Sequence, residues 1–127
     1  MMNVLVTGVG GGGHGEQILK ALRLAETDYH IVGTDMSPYS KGLMEVDHPY
    51  VVPPARDPAY LETILDICRR HEIRAVFHGS EHELLALSRA RETLNEAGLF
   101  FPVNTRSIIE TCSDKVQTSE ALAAHGF

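Results

Sequence analysis

Short apolar runs alternate with stretches of helical spacing along the whole chain. Residues 3–7, with Val4-Leu5-Val6 at their centre, predict a first strand. A helix follows over about 15–26, where Ile18, Leu22 and Ala25 recur on one face and Leu19 widens it. Ile31 to Thr34 predicts a second strand ending at Asp35, and residues 36–48 a long loop. Tyr50-Val51-Val52 is a short third strand, bracketed by Pro49 and Pro53-Pro54 and so suited to an edge. Asp57 and Pro58 predict the cap and first position of a second helix, whose buried stripe is Leu61, Ile64, Leu65 and Cys68. Arg69, Arg70 and His71 fall in its last turn, where positive charge opposes the helix dipole.

Ala75-Val76-Phe77 predicts a fourth strand, and residues 81–97 a third helix ended by Gly98. Leu99-Phe100-Phe101 predicts a fifth strand stopped by Pro102. A short helix over about 105–111 and a last one from near Ser113 to His125-Gly126 complete the chain. Strands alternating with helices through short connections predict a Rossmann-like, three-layer α/β/α domain. Its sheet is expected to be mostly parallel, with about five strands.

The 127 residues are one domain's worth. Seventeen acids against eleven bases argue against a nucleic-acid partner. No apolar stretch approaches a membrane span and no secretory signal opens the chain. Two distant cysteines, Cys68 and Cys112, fit a reduced, cytoplasmic protein with Cys68 in helix packing. Gly126 reads as a helix end, so a further element is expected beyond Phe127 and the chain reads as a fragment of a longer protein.

Six glycines crowd the first fifteen residues: Gly8, Gly10, Gly11, Gly12, Gly13 and Gly15. A strand that empties into a glycine loop and then a helix leaves bare main chain around a space at the sheet edge. The run satisfies G-x-G-x-x-G in two registers, and Asp35 lies where a dinucleotide fingerprint wants an acid. A stand-alone NAD(P)- or nucleotide-binding module is therefore the alternative reading. So glycine-rich a run matches that pattern almost by accident, and Glu16 stands in the first helical turn, where it repels phosphate and attracts an amine. The blandest alternative is a tight turn that binds nothing, in a scaffold domain whose helix face of Leu84, Leu85 and Leu87 meets a partner.

His78-Gly79-Ser80-Glu81-His82-Glu83 leaves the fourth strand at the same sheet edge, so Glu81 could face the crevice with Glu16, or simply complement the helix dipole. His14, His78 and His82 invite a zinc reading, but the spacing is not that of a zinc motif and no native metal is expected. His30, His48, His71 and His125 read as surface residues.

The glycine loop, Asp35, Glu81 and the closing stretch from Cys112-Ser113-Asp114-Lys115-Val116 to Ala124-His125-Gly126 resemble the N-terminal domain of ATP-grasp enzymes. The carbamoyl-phosphate-synthase-like group of carboxylate–amine ligases is the nearest flavour. The resemblance implies a pre-ATP-grasp domain over 1–112 and, over 113–127, a helix leading into an ATP-grasp domain. It implies a parent enzyme that uses ATP and magnesium to phosphorylate a carboxylate, which an amine then attacks. It implies substrate contacts at Gly10, Gly11, Gly12, Gly13, Glu16 and Glu81, and a nucleotide contact at Lys115. The partner would be an amine- or carboxylate-bearing small molecule, with homo-oligomerisation left open. The fragment itself would hold no cofactor and show no ligase activity. Where many members place a proline after the fourth strand this chain has His78-Gly79-Ser80, a departure that leaves its substrate class open.

Overall fold

The computed structural model describes residues 1–127. Four strands, β1 (Met2–Thr7), β2 (Tyr29–Asp35), β3 (His48–Val51) and β4 (Ala75–Phe77), form one parallel sheet in the order β3-β2-β1-β4. The helices are α1 (His14–Leu24), α2 (Tyr60–Arg70), α3 (Glu81–Arg89), α4 (Arg91–Glu96), α5 (Arg106–Ser113) and α6 (Lys115–Ala124). A 3-10 turn, Lys41–Met44, interrupts the long loop after β2. No helix is long and apolar enough to cross a membrane.

Strand period sorts the core into two layers. Val4, Val6, Ile31 and Ala75 point to one face and pack with Leu19 of α1. Leu5, Val32 and Val76 point to the other, against Ile64, Leu65 and Cys68 of α2 and Leu87 of α3. Burial pushes the Cys68 thiol up to about 12, so it behaves as packing. The helix after β4 buries Leu87 and half-buries Leu84 and Leu85, so it leaves no large apolar face in solvent.

Three expectations need correction. The sheet has four strands, not about five: residues 99–101 make a single parallel bridge, Ala75 with Phe100, beside β4. Phe100 exchanges two main-chain bonds of 2.9 Å there, and Pro102 then ends the run. The helix expected over 81–97 is split at Ala90 into α3 and α4. Arg91 beyond the break reaches across to the carbonyl of Asn104 at 2.7 Å, which ties α4 to the chain entering α5. Finally, Asp57 does not cap α2: its carboxylate accepts from Ala59 N at 2.8 Å in a turn that delivers the chain to Tyr60.

Helix α5 buries Ile109, and the last helix is set apart from this core. Asp114 caps α6 by accepting from Val116 N at 2.9 Å and Gln117 N at 3.0 Å. Within α6 no residue is buried.

Candidate functional site

The loops leaving β1, β2, β3 and β4 meet over the carboxyl edge of the sheet and enclose a cavity of about 840 Å³. The chain goes from β1 outward through β2 and β3 and returns to β4 on β1's other side. The order thus reverses between β1 and β4, where open α/β sheets leave a crevice for ligands.

Close main-chain approach explains the glycines at that crevice. Gly8 adopts φ +58°, and a Cβ there would collide with the Glu83 carboxylate and lie 3.2 Å from Gly79 C. At Gly10 a Cβ would overlap the Ser40 hydroxyl and come within 2.9 Å of Asp35 Oδ2. Between these glycines Val9 is fully buried, and its amide donates to Thr34 O at 3.1 Å. The loop is therefore anchored at its middle.

Asp35 organises the rim. Its Oδ2 accepts from Gly10 N and its Oδ1 from Ser37 N, both at 2.9 Å. One carboxylate thus joins the loop after β1 to the loop after β2. In a dinucleotide site the acid at this place hydrogen-bonds a ribose hydroxyl; here both oxygens already serve main-chain amides.

The acid at the back of the cavity is Glu83, a residue that sequence reasoning passed over in favour of Glu81. Glu83 is buried; Oε1 accepts from the Tyr60 hydroxyl at 3.1 Å and Oε2 from the Ser80 hydroxyl at 2.9 Å. Burial raises its carboxyl above the ordinary value, against the hydrogen bonds that pull it down. Burial and the Glu83 charge likewise raise the Tyr60 phenol. Ser80 also accepts from Glu83 N at 3.3 Å, so Ser80 and Glu83 cap α3 together. The S-x-x-E spacing before an apolar run is the signal that could have singled Glu83 out.

Of the expected site residues, Gly10 and Gly11 line the cavity, whereas Gly12, Gly13, Glu16 and Glu81 do not. Glu16 bonds Lys20 at 2.8 Å on α1, and that partner holds its carboxyl below the ordinary range. Glu81 is exposed in the first turn of α3. Lys115 is exposed at the start of α6. Two cations that sequence reasoning did not select, Lys41 and Arg56, line the cavity with Asp35 and His82. Lys41 also pairs with Glu45 at 3.0 Å.

The three histidines that invited a zinc reading lie in different settings. His82 lines the cavity, His14 is exposed at the start of α1, and His78 stacks edge-on against Phe101 at 6.2 Å. Burial, then the His14 charge, lowers the His78 imidazole.

The family model described as PylC-like, N-terminal domain, matches residues 4–101. No curated protein matches the chain. Among solved structures, the biotin carboxylase domain of a thermophilic 2-oxoglutarate carboxylase, bound to bicarbonate, is 19% identical over 98% of this chain and 28% of its own, with a TM-score of 0.67. The glycinamide-RNase-transformylase T of Mycobacterium tuberculosis is 14% identical over 98% of this chain and 35% of its own, with a TM-score of 0.69. The dTDP-glucose 4,6-dehydratase of Bacillus anthracis, in complex with NAD, reaches 0.56 at 17% identity over 80% of this chain and 36% of its own. The chain thus spans about a third of the length of these proteins, and the likeness is one of fold.

Proposed function

The chain belongs to the PylC-like N-terminal domain family, and from that premise we propose that it forms the substrate half of an ATP-dependent carboxylate–amine ligase. In such a ligase ATP and magnesium activate a carboxylate as its acyl phosphate, and an amine attacks it. The part assigned to this chain is to bind one small-molecule substrate and hold its orientation. The observation that carries the reading is the cavity at the switch point, walled by glycine main chain on one side and by Lys41 and Arg56 on another. Those two cations suit a substrate carboxylate. Glu83 and Asp35 also line the cavity and suit an amine.

Magnesium–nucleotide does not fit among the residues of this cavity. Its two acids are already engaged, Asp35 by two amides and Glu83 by two hydroxyls. Lys115, one exposed ammonium, would touch nucleotide only together with groups outside residues 1–127. Glu16 would reach a substrate amine only after leaving Lys20.

The test is made in the full-length parent. Arg56→Ala is expected to raise KM for the carboxylate substrate about tenfold, with kcat held within a factor of two or so. An unchanged KM in both Arg56→Ala and Lys41→Ala would remove the carboxylate assignment. The 127-residue chain with ATP and magnesium is expected to release no ADP. Submicromolar binding of NAD or NADP to the chain would overturn the ligase reading in favour of a dinucleotide module.

A further inference from the structure

At the opposite, amino edge of the sheet, three histidines from distant parts of the chain meet. His30 lies at the start of β2 and His48 at the start of β3. Residues 30 and 32 share a face of β2, and His48 pairs in register with Val32. Both imidazoles therefore stand on the face that α2 covers. Helix α2 ends at this edge, and His71 is its C-cap. Asn3 at the start of β1 donates to His71 O at 2.8 Å and fixes that end in place. The ring centroids of His30 and His48 are 5.1 Å apart, and those of His48 and His71 are 4.9 Å apart. One ring nitrogen of each lies within 4.8 Å of those of the other two.

We infer that His30, His48 and His71 form an open three-imidazole site for a divalent transition metal of the zinc class. Neutral imidazoles are ligands of choice for such ions, and three protein ligands leave one position for water. One of the rings, His71, has an oxygen partner for its second nitrogen within hydrogen-bond distance, the arrangement that fixes a ligating tautomer, and a second, His30, has a carboxylate nearby. His71 Nε2 lies 2.7 Å from the Tyr50 hydroxyl, and donation from Nε2–H to that oxygen leaves the Nδ1 lone pair free. His30 Nδ1 faces Asp47 Oδ2 at 3.9 Å, leaving Nε2 on the far side of the ring. Asp47 is itself held by Ile31 N at 2.7 Å and Arg23 at 3.1 Å. The final carbonyls of α2 add the negative end of its dipole. Zinc–nitrogen bonds of about 2.0–2.1 Å require the set to contract, and His48, exposed, has the rotamer freedom to close it. A bound ion would clamp the edge strand β3 and the end of α2 to β2.

Titration of the metal-free chain with zinc chloride by calorimetry, and with cobalt(II) followed by visible absorption, tests the site. One ion per chain is expected, with a rise in Tm on zinc addition. His48→Ala and His71→Ala should each weaken binding by more than about tenfold. His48 is exposed, so His48→Ala keeps the fold, which far-UV circular dichroism checks. His14→Ala combined with His82→Ala should leave the affinity unchanged. Absence of saturable binding to the unsubstituted chain, binding that survives His48→Ala and His71→Ala, or binding lost only with His14 and His82 would each overturn the assignment.

Discussion

At the carboxyl edge of the sheet the chain presents main chain, and at the amino edge it presents side chains. Between Thr7 and His14 there is one buried anchor, Val9, set between Gly8 and Gly10, whose neighbours leave no room for a Cβ. Shape there depends on backbone conformation and on Asp35 and Glu83 bonding across loops. His30 and His48 sit on regular strands and His71 caps α2 just before Glu72 at φ +49°, so the three imidazoles have been brought together by register and by where that helix ends. Damage should follow the same division: substitutions in the main-chain framework of the first edge should unsettle the fold, and those at the three histidines of the second should cost only a ligand.

The largest effect is expected at Gly8. Gly8→Val would place a β-branched side chain at φ +58° and drive its Cβ into Glu83. Backbone strain in the left-handed region and displacement of a buried carboxyl together should cost about 3 kcal/mol or more. Urea unfolding should show this as a lower midpoint at an unchanged m-value. A loss below about 1 kcal/mol would mean that the loop is looser than its contacts indicate.

Asp35→Ala comes next. It removes the acceptor of both the Gly10 and the Ser37 amides. Two bonds to a charged acceptor at a half-buried position should be worth about 2 kcal/mol together. The unfolding midpoint reports it, and Asp35→Asn should recover part of the loss because an amide oxygen replaces one of the two acceptors. Equal losses in both variants would point to charge, not hydrogen bonding, as the contribution of Asp35.

The two edges also differ in how far they could be read from sequence. A glycine run between a strand and a helix marks itself, because the requirement for bare backbone is written in consecutive residues. The alternating core was equally legible: Val4 and Val6 on one face and Leu5 on the other follow from strand period. The S-x-x-E spacing from Ser80 to Glu83 was legible, but the burial of Glu83 against Tyr60 depends on which way the first turn of α3 rolls. The segment 99–101 carries the same apolar signal as β4, and only its single bridge before Pro102 separates it from a strand. His30, His48 and His71 share no local pattern. Their meeting depends on the pairing of β2 with β3 and on where α2 ends, both of which are tertiary facts.

Glu83→Gln sharpens the comparison through pH. Burial raises the Glu83 carboxyl in the folded chain above its ordinary value of 4.5. A raised carboxyl favours the protonated form, so its contribution to stability is complete below the unfolded value and is lost as pH rises through the folded value. Glutamine keeps a neutral oxygen for Tyr60 or Ser80 and does not titrate. The stability of the unsubstituted chain relative to Glu83→Gln should therefore fall as pH rises from the acid side of that value towards neutrality. Denaturant midpoints of both proteins across that range measure it. A difference independent of pH would show that burial and hydrogen bonding at Glu83 cancel.

The smallest effect is expected at His48, and its smallness is informative. In the metal-free chain His48 is exposed on the edge strand and makes no side-chain hydrogen bond, only ring contacts with His30 and His71. His48→Ala should then alter stability by no more than about 0.5 kcal/mol. Its effect should appear only when zinc is added, because a ligand that binds the folded state alone raises stability by mass action. The zinc-dependent rise in Tm should be present in the unsubstituted chain and in Gly8→Val, whose loop lies at the other end of the strands, and absent in His48→Ala. A substitution that weakens the fold while keeping the zinc response, beside one that keeps the fold while losing it, would separate the two edges. Loss of the response in Gly8→Val with the fold retained would instead tie the histidines to the glycine loop and end the division drawn between them.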